Sequence, residues 1–209
     1  MAYSVEIKPH SFKTVKLSID EDKITLGDKS IATQEITGMA YGATSNSTNG
    51  VKTHSNYSFK FGDDNGNELK LFFMGGAVGT TKGADDTYQE IINEVWRHVG
   101  ERLYKKLRTS LLEGKPYPIG KAKLLPEGIA FERKPLFGAR KAYTIKWHDL
   151  QTEFVNGNIV LSSSAEKKAK ISLAPDTTFN VRVLYAFIEA TREDGAILGE
   201  IYRKHGLSV

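Results

Sequence analysis

Residues 85–113 read DDTYQEIINEVWRHVGERLYKKLRTSLLE, and their spacing decides how the rest of the chain divides. Apolar side chains fall at Tyr88, Ile91, Ile92, Val95, Trp96, Val99, Leu103, Leu107 and Leu111. Steps of three and four place them on one stripe of an α-helix. Asp85 and Asp86 suit the positive end of such a helix, and Gly114 and Pro116 stop it. At 1.5 Å per residue it would run about 42 Å, longer than one small domain needs. Its second half, Leu103, Leu107 and Leu111, is therefore expected to contact a second domain or a partner chain. Trp96 shares the stripe with Ile92 and Val99 and is expected to be mostly buried against the first sheet.

Strands precede this helix. YSVEIK (3–8), FKTVKLSI (12–19) and KITL (23–26) alternate apolar with polar residues, and SIATQEITGMAYG (30–42) supplies one or two more. ATSNSTNGVKTHS (43–55) has the composition of a loop. NYSFKF, GDDNG and NELKLFF (56–73) read as a hairpin, with Asn65-Gly66 suited to its turn. The same order returns after residue 114. YPIGKAKLL, GIAFER, RKAYTIKW and LQTEFV read as strands, GNIVLSS and KKAKISLA as a hairpin. A helix is expected from Asp176 to about Gly195, with Phe179, Val183, Leu184, Phe187 and Ile188 on one face. Ile197, Leu198, Ile201 and Tyr202 suit a short final helix. The repeat predicts an α+β fold, mainly β, in two domains, 1–114 and 115–209, each an antiparallel sheet or barrel closed by a C-terminal helix.

The chain has 209 residues, no cysteine and a net charge of +4. Disulfides and cysteine chemistry are excluded. No apolar run approaches the roughly 18 residues of a membrane span, and MAYSVEIKPH lacks the apolar core of a signal peptide, so the expected location is the cytoplasm. Residues 1–114 hold 14 Lys and Arg against 15 Asp and Glu, a net −1. Residues 115–209 hold 15 against 10, a net +5, so the whole excess lies in the second half. Such an excess is either ordinary surface variation or the mark of an anionic partner.

Six or seven short antiparallel strands followed by one amphipathic helix resemble the pleckstrin-homology pattern. INEVWRHVGERL is similar to the closing helix of such domains, with Trp96 in the place of its packed tryptophan. FNVRVLYAFIEA offers Phe187 near the equivalent position. The resemblance covers nearly all of the chain as two tandem pleckstrin-homology-like domains, nearest in character to the bacterial and GRAM-like relatives. It implies a binding module without a cofactor.

Catalytic and metal motifs fail on spacing. MGGAVGTTKGADD (74–86) lies between strand and helix, but Gly79-Thr80-Thr81-Lys82 is not the order a phosphate loop requires. GDDNGNE (62–68) has Asp63, Asp64, Asn65 and Glu68, yet Glu68 follows Gly66 too closely for a calcium loop. His10, His54, His98, His148 and His205 make no H-E-x-x-H pattern or close pair. The serines of SSSAEKK (162–168) lack a nucleophile-elbow context. No nucleophile, base and orienting group come together, so no enzyme activity and no metal site is expected.

FERKPLFGARKAYTI (131–145) remains. Arg133 and Lys134 stand before Pro135-Leu136-Phe137-Gly138, and Arg140 and Lys141 after it. The resemblance places this segment between the first strands of the second domain, where many pleckstrin-homology domains hold phosphoinositide headgroups. Cations on two arms can converge on an anionic headgroup, each contributing about 1 kcal/mol at an anionic bilayer. Leu136 and Phe137 would then enter the interface. Alternatively the tip packs on neighbouring protein and the cations are solvated. Arg140 and Lys141 are adjacent, which departs from the spacing usual in lipid-binding members. The expected function is a non-catalytic scaffold acting on a protein partner through sheet edges and the groove between the two barrels, with peripheral attachment to an anionic membrane by 133–141 as the alternative. Nucleic acid is not an expected partner; self-association is compatible with either reading.

Overall fold

The computed structural model describes residues 2–10, 13–48, 51–76, 81, 83–134 and 139–207. They form two compact units, residues 1–103 and 104–209. The fold is α+β and mainly antiparallel β, in four separate sheets. These sheets are not closed barrels, so that part of the expectation is corrected.

In the first unit, β1 (Tyr3–His10), β2 (Lys13–Ile19), β3 (Lys23–Leu26) and β4 (Lys29–Ala32) form a four-stranded meander. A 3-10 turn, Thr33–Glu35, leads to β5 (Ile36–Thr48), β6 (Val51–Asp63) and β7 (Glu68–Gly75), a three-stranded meander. Helix α1 (Ala84–Val95) and a π-helical turn (Trp96–Gly100) follow, and α2 (Glu101–Leu112) continues them. The second unit has β8 (Tyr117–Ile119), β9 (Ala122–Leu125), β10 (Gly128–Arg133) and β11 (Lys141–Lys146) in a four-stranded meander. The 3-10 turn Trp147–Asp149 leads to β12 (Leu150–Val155), β13 (Asn158–Ser163) and β14 (Lys170–Leu173). Helices α3 (Val181–Glu193) and α4 (Ala196–His205) close the order. The sequence repeat is thus a repeat of four strands, a 3-10 turn, three strands and a helix.

Three boundaries differ from the sequence reading. Residues 43–48 and 51–55 extend β5 and β6, with Thr44 opposite Asn56 and Asn46 opposite His54. Their polarity reflects exposure, not absence of a ladder. The helix expected from Asp176 begins at Val181, because residues 174–180 are spent in turns that end on Asn180 at φ 64. The compact units divide between Leu103 and Tyr104, inside the long helix, and not at the Gly-Pro punctuation near 114. Leu107 and Leu111 are fully buried and belong to the second unit. Tyr104 meets Phe187 with ring centroids 6.3 Å apart, Arg108 bridges Glu200 at 2.7 Å, and His205 Nε2 donates to the Leu111 carbonyl at 2.9 Å.

The first unit's core is aromatic. Tyr57 stacks on Phe73 at 4.9 Å, and Tyr88 of α1 meets Tyr57 at 4.8 Å and Phe59 at 5.2 Å. These side chains come from alternate positions of β6 and β7, the inward face of a period-two strand. The Tyr57 hydroxyl donates to Asp85, and burial, then that carboxylate, push its pKa up. Trp96 is mostly buried, as expected, though neither it nor Ile92 is fully enclosed. The core stripe runs through Ile91, Val95, Val99 and Leu103. Trp96 lies beside it, its indole N–H donating to the Tyr41 hydroxyl at 2.6 Å.

Two predictions follow from this packing. A Cβ at Gly100 would sit 2.4 Å from Trp96 Cε3, so Gly100→Ala must displace the indole. Overpacking costs about 1–3 kcal/mol and outweighs the roughly 1 kcal/mol gained by replacing glycine in a helix. Calorimetry should show a lower melting temperature; an unchanged or raised one refutes this packing. A fragment 115–209 lacks Leu107 and Leu111, each comparable to a core truncation of about 2–5 kcal/mol. It should be unfolded by circular dichroism, whereas 104–209 should fold.

Candidate functional site

The basic segment lies on the hairpin of β10 and β11. That hairpin joins the third and fourth strands of its unit, not the first strands as the family resemblance implied. Leu136 and Phe137 lie outside the described residues. Arg133, Lys134, Arg140 and Lys141 are all exposed. The ladder separates the four cations. Arg133 is directly opposite Lys141, two positions beyond the Phe131–Tyr143 pair, whose rings stack at 5.6 Å. Directly opposed residues share a face, so both cations continue the face that carries the aromatic pair. Arg140 approaches Glu132 at 3.7 Å, a pair too exposed to contribute much. Like charges opposed across a ladder are unfavourable unless an anion sits between them.

A second site was not legible beforehand. Strand β12 forms one end of its sheet and, among the described residues, pairs only with β13. Phe154 is 55% exposed and Val155 43%. The Phe154 ring meets Tyr185 of α3 edge-on at 5.0 Å, so Leu150, Thr152 and Phe154 face the helix and Gln151, Glu153 and Val155 face away. The equivalent strand of the first unit, β5, is buried at Met39, Ala40 and Tyr41 in succession, hence on both faces. Among the described residues nothing comparable covers β12, where Gln151, Glu153, Phe154 and Val155 are all exposed. The available signal was the adjacency of Phe154 and Val155 before Asn156-Gly157, but adjacent apolar residues do not say which is covered.

The other candidates are absorbed by structure. Asp63 accepts from the backbone N–H groups of Asn65 and Asn67 and from the Asn67 side chain, which hold its pKa below the usual carboxylate range. Glu68 bridges Lys60 and Lys70. Both line an open cleft of about 470 Å³ with Lys29 and Glu35, and both are already engaged, Asp63 by the turn and Glu68 by the two lysines. Ser163 Oγ accepts from Ala165 and Glu166 N–H groups, which makes it a turn residue. Residues 77–80 and 82 of the glycine-rich connector lie outside the described residues. Among those described, no group of three or more His, Cys, Asp or Glu is placed to hold a metal ion. No described helix is long and apolar enough to cross a membrane.

No protein-family model, curated protein or solved structure matches the chain.

The opposed cations give a test of the hairpin's chemistry. Lys141→Glu would set an opposite charge across from Arg133, adding about 0.2–1 kcal/mol. The variant should melt slightly higher than the wild type in low salt. A lower melting point would mean that Lys141 makes a favourable contact of its own.

Proposed function

We propose that the protein is a non-catalytic binding module that engages a protein partner along the open edge of β12. The observation that carries this reading is the contrast between equivalent strands, both of which end their sheets: β5 is buried on both faces at Met39, Ala40 and Tyr41, whereas β12 exposes Phe154 and Val155 and, among the described residues, pairs on one side only. An extended segment laid along that edge satisfies the free N–H and C=O groups and takes specificity from alternate side chains. Phe154 and Tyr185 supply an aromatic anchor beside it. The duplicated order of four strands, 3-10 turn, three strands and helix supports reading each unit as pleckstrin-homology-like, and with it a role in binding.

A second reading, attachment to an anionic membrane, is favoured by the facing Arg133 and Lys141 with Lys134 beside them. An anionic headgroup would relieve their repulsion, and salt would weaken binding because exposed charges are screened within about 8 Å at physiological ionic strength.

Two measurements separate the readings. Affinity capture should lose its retained protein in Val155→Lys, which places a charge on the edge, while Arg133→Glu with Lys141→Glu should retain it. The reverse pattern contradicts the edge reading. Vesicle pelleting should show salt-sensitive binding to anionic but not neutral vesicles, abolished in the double variant, if the membrane reading holds. Absence of pelleting under every condition removes it.

A further inference from the structure

We propose that the Asn156-Gly157 turn between β12 and β13 is a modification site, at which the folded chain deamidates to isoaspartate without a catalyst and so loses the register of that hairpin. The chain has three Asn-Gly pairs, at 49–50, 65–66 and 156–157. Asn49 and Gly50 lie outside the described residues. The other two pairs sit in turns with different surroundings. At Asn65 the turn is tied down. The Asp63 carboxylate accepts from the N–H groups of Asn65 at 2.9 Å and Asn67 at 2.8 Å, and from the Asn67 side-chain amide at 2.7 Å. The Gly66 N–H donates to the Asp63 carbonyl at 3.4 Å. Asn156 and Gly157 are exposed, and their φ values of 49 and 78 are the positive pair of a two-residue hairpin turn. Neither the Asn156 side chain nor the Gly157 N–H has a hydrogen-bond partner among the described residues. No atom lies within 4 Å of where a Cβ on Gly157 would stand, so the main-chain nitrogen is unshielded.

The reaction needs only these two residues and water. The Gly157 nitrogen attacks Asn156 Cγ, its proton passes to the side-chain nitrogen, and ammonia leaves as a cyclic succinimide closes. Water then opens the ring. Cleavage of the new N–Cγ bond gives aspartate. Cleavage of the original peptide bond gives isoaspartate, whose main chain runs through Cβ and Cγ. The sum is an amide and a water giving a carboxylate and an ammonium ion, with no oxidation or reduction. The attack requires rotation about the asparagine ψ to bring the nitrogen onto Cγ. At Asn156 that rotation breaks no hydrogen bond of either residue. At Asn65 it pulls against the bonds to Asp63, each of which lowers the fraction of chains free to rotate by roughly twofold to tenfold. The Asp63 carboxylate also opposes the negative charge that builds on the Gly66 nitrogen as its proton leaves. Isoaspartate adds a main-chain atom to a turn that has room for two residues. Phe154 pairs with Ile159 beside that turn, and Ile159 is buried, so the longer turn must either unseat Ile159 or unpair Val155 and Phe154.

Peptide mapping of the intact folded chain, held at mildly alkaline pH, should find isoaspartate forming roughly tenfold or more faster at Asn156 than at Asn65, the combined effect of several such bonds. In urea the two rates should converge, because the turns that distinguish them are gone. Equal rates in the folded chain, or a faster rate at Asn65, overturn the assignment. So does a folded chain that forms no isoaspartate at Asn156 while the unfolded chain does. The aged protein should melt below the fresh one. Asn156→Gly removes the reacting amide and keeps a residue that accepts positive φ, so its melting temperature should survive the same ageing. A variant that loses as much on ageing as the wild type places the damage elsewhere and overturns the loss of register.

Discussion

A buried residue at every fourth position cannot stay on one side of an α-helix, and residues 84–112 are built around that conflict. Ile91, Val95, Val99, Leu103, Leu107 and Leu111 are all fully buried. At 3.6 residues per turn each step of four advances about 40°, so the stripe would drift about 200° between its ends. The π-helical turn at Trp96–Gly100 holds back about one residue, or 100°. The Glu101 N–H bonds the Trp96 carbonyl, five residues back, which marks the insertion. The helix also changes allegiance: through Leu103 it belongs to the first unit, and from Tyr104 to the second. One element therefore contributes core residues to both halves of the chain.

Each half then solves the same problem with different side chains. In both, a 3-10 turn links the two sheets and its first residue plugs the turn between the second and third strands. Thr33 N–H donates to the Asp22 carbonyl at 2.8 Å, and Trp147 N–H to the Glu127 carbonyl at 3.4 Å. The large indole has exchanged places. In the first unit it comes from the helix, as Trp96, and reaches Tyr41. In the second it comes from the plug, as Trp147, and meets Phe187 of α3 edge-on at 5.5 Å. The units share an order of elements without sharing the residues that fill them.

That exchange explains what the sequence could and could not convey. Period-two alternation at Tyr57, Phe59 and Phe61 and the 3-4 spacing of the helix identified most elements, because one face of each is wet. Breaks set by tertiary context were hidden. The polar stretch at 43–46 looks like a loop because successive residues there, and hence both faces of the strand, are exposed. Gly114 and Pro116 end a helix, yet the unit boundary depends on which neighbours Leu107 and Leu111 find, and that is not a local property. The four cations were legible as a cluster, but only the ladder shows that Arg133 faces Lys141 while Arg140 approaches Glu132. The β12 edge was invisible because LQTEFV reads like any half-buried strand, and its exposure comes from what fails to cover it.

The placement of the two tryptophans also gives each half its own optical label. The chain contains only Trp96 and Trp147, one per unit, in unlike surroundings. Trp96 is mostly but not fully buried and hydrogen-bonded to a phenol; Trp147 is buried, its N–H shared between the Leu125 and Pro126 carbonyls. A polar, partly wet indole emits further to the red than one enclosed in a core. The intrinsic emission of the unmodified protein is thus a two-channel record, in which loss of one unit's packing is distinguishable by colour from loss of the other's.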